Sequence, residues 1–261
     1  MTEKPTAKPA TPYINNPFMI SIEGISGLFE KARGVATFLI IATVALLIFG
    51  MIPTPDTMTG PGQAELQLST EQLLWILIPQ IAFTIFAIVV SGVLGYASAK
   101  VARGETVTFN EAISGFMGRF WGYVWLEILM LLKILAWTLL LIVPGVIMSV
   151  RYSLAHIAFF DKNLSANEAI KHSAAITKGS WFTTFAAQTL LTMLSFGIIS
   201  LLTVGGAAIT LYRQFEATPL DERPRTHGLS IATFILSIVF LLLVLALAIL
   251  FAVMASQVLG E

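Results

Sequence analysis

Residues 230–255 run for twenty-six positions without a single charge. A helix rises about 1.5 Å per residue, so this run covers the roughly 30 Å of a bilayer's hydrocarbon core with length to spare. A second uncharged run fills 73–99, and a third fills 34–52. No water-soluble fold of this size has room for three such segments. Composition agrees: 56% of the 261 residues are hydrophobic and only 11% are charged, against about 25% charge in a soluble domain. The expected fold class is therefore all-α, a polytopic transmembrane helix bundle of six to seven spans with short cytoplasmic interfacial helices.

Three further apolar stretches complete the set. Residues 121–143 are interrupted by Glu127 and Lys133 and stopped by Pro144-Gly145. Residues 146–160 contain Arg151 and His156. The 31 residues of 181–211 are too long for one plain span, and Gly197, Gly205 and Gly206 offer breaks. A hairpin turning near Gly197 gives seven crossings; one long tilted helix gives six.

Charge placement sets the direction of insertion. With the N-terminus cytoplasmic and 181–211 folded as a hairpin, every Lys and Arg except Lys133 and Arg151 lies on the inner side. The loop after the first span carries only Asp56, Glu65 and Glu71. The expected location is a plasma (inner) membrane, multi-pass. Residues 1–18, rich in Pro, Lys and Thr, read as a disordered cytoplasmic tail. The bundle proper is expected over 19–216, with a linker and an additional C-terminal transmembrane helix over 217–261.

Two stretches repeat. Thr108-Phe-Asn-Glu111-Ala-Ile113 and Ser165-Ala-Asn-Glu168-Ala-Ile170 stand 57 residues apart, and each is a capping box. Each leads through a tryptophan, Trp121 or Trp181, into an apolar run. The reading is a unit of interfacial helix, span and return span used twice, with a looser third copy over 21–99 whose leading amphipathic helix is 21–32.

The pattern Pro144-Gly145, Arg151-Tyr152, Ser165 to Ala169, Ser173 and Lys178-Gly179 before Trp181 resembles the YciC-like bacterial membrane proteins. It is similar also to the membrane domain attached to some glycerophosphodiester phosphodiesterases. The likeness covers about 105–215 well and 20–104 loosely, and leaves 230–255 as an addition. It implies a multi-spanning bundle of the bacterial plasma membrane and no particular activity; the phosphodiesterase barrel itself is absent from this sequence.

Charges inside the spans are the candidate functional residues. Lys133 lies mid-span, where a charge costs roughly 2.5–3.5 kcal/mol on insertion scales. Folding the chain back at Pro144-Gly145 places His156 level with Lys133, and Glu127 level with Lys162. The same fold puts Arg151 in the outer half. Gln80, beside Pro79, adds an amide inside the second span. Lys133, Glu127, Arg151, His156 and Gln80 could together line a path for an ion, a proton or a lipid headgroup. Alternatively, they are packing pairs that fix helix register. The ladder Ser91, Gly95, Ala99 suits close helix packing.

The chain has no cysteine, which excludes thiolate chemistry and Cys-ligated metals. Glu168 and His172 share a helix face without a third ligand, so no metal and no cofactor is expected. A net charge of zero gives no support to nucleic-acid binding. Lys162, Lys171 and Lys178 could touch anionic lipid at the cytoplasmic face, though positive-inside bias explains them equally well. Three functions stay open. The first is a non-enzymatic membrane protein serving envelope homeostasis or solute or lipid transport. The others are a scaffold binding a protein partner, unidentified, through the cytoplasmic helices, and a lipid-headgroup enzyme.

Overall fold

A computed structural model describes residues 12–50 and 70–259. Among them stand eleven α-helices, a single 3-10 turn at Leu220–Glu222, and no strand. In chain order the helices are α1 (Pro17–Lys31), α2 (Arg33–Gly50), α3 (Thr70–Ala102), α4 (Phe109–Met117), α5 (Phe120–Leu140) and α6 (Ile142–Tyr152). They continue with α7 (Ala155–Asp161), α8 (Ala166–Ile176), α9 (Trp181–Leu194), α10 (Ser200–Ala217) and α11 (Gly228–Leu259).

Among the described residues, four segments are long and apolar enough to cross a membrane: Leu73–Ala102, Phe120–Leu140, Ile142–Asp161 and Gly228–Gln257. A fifth is the pair α1–α2, bent by 116° at its junction. The count is thus four to five by length and composition, below the expected six to seven. The difference lies mainly in 181–211. It breaks at Phe196 and Gly197, both in the left-handed region (φ 51° and 82°), where Gly197 donates its amide back to the Thr192 carbonyl (2.8 Å). The break leaves α9 with 14 residues, about 21 Å, too short for a full crossing by itself. Gly205 and Gly206 lie inside α10 and are no break at all.

Hydroxyls inside the apolar helices bond the carbonyl one turn back. Thr43, Thr84, Thr138, Thr192, Thr233 and Ser237 donate to Leu39, Gln80, Ile134, Gln188, Leu229 and Thr233, all at 2.8–3.1 Å. A hydroxyl satisfied within its own helix can face hydrocarbon without an orphaned donor.

The packed core joins α1, the first half of α2, the second half of α3, α4, the first half of α5, and α7, α8 and α10; Ile20, Leu28, Leu39, Val93, Phe116 and Leu211 are fully buried in it. Helix α1 starts at Pro17, within the expected tail. Asn16 caps it by accepting from the Phe18 amide (3.0 Å), and Pro17 at the first position needs no donor. Residues 1–11 of the expected tail, and residues 51–69 of the loop expected on the outer side, with Asp56 and Glu65, lie outside the described residues. Helix α1 runs along α10 as its main partner. The backbones touch where Gly24 meets Gly206, so neither position has room for a Cβ. By contrast, none of the α11 window is buried in the protein, and only 6% of the α3 window is.

Candidate functional site

The capping boxes fix where α4 and α8, the helices packed beside the site, begin. Thr108 accepts from the Glu111 amide (3.3 Å) while Glu111 accepts from the Thr108 amide (2.7 Å). Ser165 and Glu168 repeat the exchange at 3.5 and 3.0 Å. Both glutamates consequently titrate below the ordinary 4.5: the backbone donor of Thr108 dominates for Glu111, and the hydroxyl of Ser165 for Glu168.

The hairpin α5–α6 sets what faces what. Its turn comes at Leu141, which is extended (φ −164°), and Pro144 falls inside the first turn of α6. Proline is tolerated there because a first-turn amide has no partner within the helix. Gly145 packs directly on Thr138 with no space for a side chain. Turning at 141 instead of 144–145 moves every facing pair by about six residues. Hence Glu127, not Lys133, faces His156: its Oε1 lies 3.6 Å from His156 Nδ1. The expected pairing of Glu127 with Lys162 is likewise replaced.

Around this pair a polar cluster closes across three helices. The Tyr123 hydroxyl shares a hydrogen bond with His156 Nδ1 (2.8 Å), and Ser91 of α3 donates to Glu127 Oε1 (3.0 Å). Tyr123 is fully buried, stacked on Phe160 (5.4 Å) and edge-on to Phe116 (5.5 Å). About a quarter of the Glu127 and His156 side chains stays accessible. The small ladder on α3 makes the approach possible, since His156 and Phe160 of α7 pack over Gly95. Sequence reasoning named Glu127 and His156 but missed Tyr123, four residues before Glu127 on the same face, and gave Ser91 a packing role only.

The other expected residues go elsewhere. Lys133 reaches Asn167 at the start of α8, its Nζ donating to Oδ1 at 2.7 Å. The mid-span distance does not prevent this, because α8 packs directly on α5 and brings its polar N-terminus to the lysine. Arg151 donates to the Ala174 carbonyl at the far end of α8 (2.8 Å). Gln80 is exposed on α3, away from the cluster.

Helix α8 also repairs the break between α6 and α7. Ser173 accepts from the Leu154 amide (3.1 Å) and donates to the Arg151 carbonyl (2.7 Å), and Thr177 donates to that same carbonyl (3.2 Å). Backbone groups freed by an interrupted span thereby stay paired.

A second polar group closes one end of the bundle. Asp161 receives Arg103 and the Tyr212 hydroxyl (2.7 Å), and Glu216 receives Lys162 (2.6 Å) and His172. The carboxylate of Asp161 holds Arg103 above its ordinary value. His172 is thus committed to Glu216, not to Glu168. A cavity of about 280 Å³ lies over Arg103, Asp161, Tyr212 and Glu216. No three His, Asp or Glu side chains among the described residues gather as a metal set. No family model, no curated protein and no solved structure matches this chain.

Proposed function

We propose that this is a non-enzymatic, multi-pass protein of the bacterial plasma membrane, N-terminus cytoplasmic, that carries a solute or lipid headgroup in the service of envelope homeostasis. In this arrangement α9 and α10 are the two arms of a hairpin turning at Gly197, which gives seven passages and keeps Arg213, Arg223 and Arg225 on the inner side as the charge pattern favours, with the bilayer thinned around the 14-residue α9. The cluster Ser91–Glu127–His156–Tyr123 supports the reading. A carboxylate and an imidazole held together between three helices, yet still partly accessible, form a binding point for a cation or a polar headgroup. Lys133 and Arg151 serve instead to lock α8 onto the hairpin, and Gln80 takes no part. The locking also weighs against α8 as a free docking helix for a partner protein.

The test is Glu127→Gln in a strain lacking the gene and showing an envelope defect. The reading expects normal membrane levels of the variant and failed complementation. Full complementation by Glu127→Gln removes the cluster from function. Turnover of a phospholipid by the purified protein would replace the reading with the enzymatic one.

A further inference from the structure

Helix α11 is held chiefly by α9 and stands apart from α6. Between α6 and α11, over the face of α9, runs a groove of about 640 Å³. Its floor is aromatic. Trp181 stacks on Phe185 (5.4 Å), and Phe234 stands edge-on to Trp181, Phe182 and Phe185 at 5.3–5.7 Å. The polar atoms along it are already used: Trp181 Nε1 donates to the Ile147 carbonyl (3.2 Å), and Ser237 donates to the Thr233 carbonyl (2.8 Å). Both walls belong to segments apolar enough to cross a membrane, so hydrocarbon is the medium that fills the groove.

No charged side chain lines the groove itself; the segments that lead into α9 and α11 carry cations, together with the exposed acids Asp221 and Glu222. The chain enters α9 from Lys178 and enters α11 from Arg223, Arg225 and His227. Arg223 is turned inward, donating to the carbonyls of Ile176 (2.6 Å) and Phe215 (3.0 Å) and to Ser180 Oγ (3.2 Å). Lys178 and Arg225 are exposed, and neither side chain has an ion pair or hydrogen bond among the described residues. An indole at this level is where a membrane–water boundary places tryptophan.

We propose that this groove binds one anionic phospholipid, an acyl chain lying over Trp181, Phe185 and Phe234 and the phosphate facing Lys178 and Arg225. The site deepens the bilayer placement and is independent of the role given to Glu127, so the two fail separately. The matching chemistry is specific: an aromatic trough suits a chain of methylenes, and two unpaired cations beside its mouth suit a phosphate.

The experiment uses the full chain with Trp75, Trp121, Trp125 and Trp137 replaced by Phe, leaving Trp181 as the only indole. It is placed in nanodiscs of phosphatidylcholine and phosphatidylglycerol, with bromine on the acyl chains of one lipid at a time. Brominated phosphatidylglycerol is expected to quench Trp181 at a mole fraction about tenfold lower than brominated phosphatidylcholine. Lys178→Gln with Arg225→Gln brings the two lipids to parity, and Asp221→Asn with Glu222→Gln widens the difference. Should the four-fold Phe variant not fold, native mass spectrometry of the otherwise unaltered chain reads the same contrast as retained phosphatidylglycerol. Parity in the parent means ordinary boundary lipid and overturns the proposal. So does a preference that survives the double Gln variant. Absence of quenching by either lipid, with α11 cross-linking between copies, gives the groove to a second copy and overturns it too.

Discussion

Glu127 of α5 and His156 of α7 face each other at 3.6 Å, and the Tyr123 hydroxyl meets the same imidazole nitrogen at 2.8 Å. Three side chains from two helices thus converge on one point, and Ser91 of a third helix completes it. Such a network is worth more than its separate bonds when all members are present.

Tyr123→Phe should therefore lower thermal stability in detergent, and so should Glu127→Gln. Combined in one chain, the two substitutions should cost less than the sum of the singles by about 1 kcal/mol, because they dismantle one cluster. A double-mutant cycle by thermal unfolding checks this. Strict additivity would mean that the two residues do not act together.

Lys133 and Asn167 make a second test. Asn167→Ala leaves the ammonium without its partner near the middle of a span and should destabilise by about 1.5–3 kcal/mol, the scale of a hydrogen bond to a charged group. Lys133→Met removes the charge together with the bond, and is expected to cost less than Asn167→Ala because no unpaired charge is left in the span. Melting curves of the two variants, compared in the same detergent, decide between a register-fixing lysine and one held for another purpose.

Where Gly24 of α1 meets Gly206 of α10, an alanine at either position puts a methyl into the opposite backbone. Gly24→Ala should cost more than about 2 kcal/mol and loosen α1. Limited proteolysis should then cut within α1 first. Gly228→Ala, which has open space around it, serves as the control and should change nothing.

Much of this architecture can be read from the chain alone, and the reasons are local. The capping boxes at Thr108 and Ser165 need only four residues each, so their helices begin where the pattern says. The uncharged runs identify α2, α3 and α11 for the same reason. Facing pairs are different, because they depend on where a hairpin turns. Pro144 is a plausible stop, yet it is equally at home inside a first turn, and that ambiguity moved His156 from Lys133 to Glu127. Nor does periodicity reveal that α8 packs onto α5 and α6, which is what gives Lys133 and Arg151 their partners. Ser173 and Arg151 stood out in the sequence as part of a motif, and Thr177 did not. Their part in mending the α6–α7 junction needed coordinates.

Acid should loosen the start of two helices together. Hydrogen bonds from the caps hold Glu111 and Glu168 below 4.5 in the folded state. A carboxylate with a lowered folded value stabilises fully above its unfolded value and loses that contribution as pH falls through the folded one. Amide exchange at residues 109–112 and 166–169, divided by its intrinsic rate at each pH, should accordingly rise below about pH 4.5 and stay flat above it. In Glu111→Gln and Glu168→Gln, where the capping oxygen no longer titrates, the rise should vanish.

Placement in lipid is the foundation for all of these expectations, and α11 tests it most directly. The chain has no cysteine, so a single one introduced at Leu245 can carry a spin label without further changes. In membranes, that label should be relaxed by oxygen, which dissolves in hydrocarbon, and shielded from a water-soluble nickel chelate. Ready access of the nickel chelate to residue 245 would contradict the account.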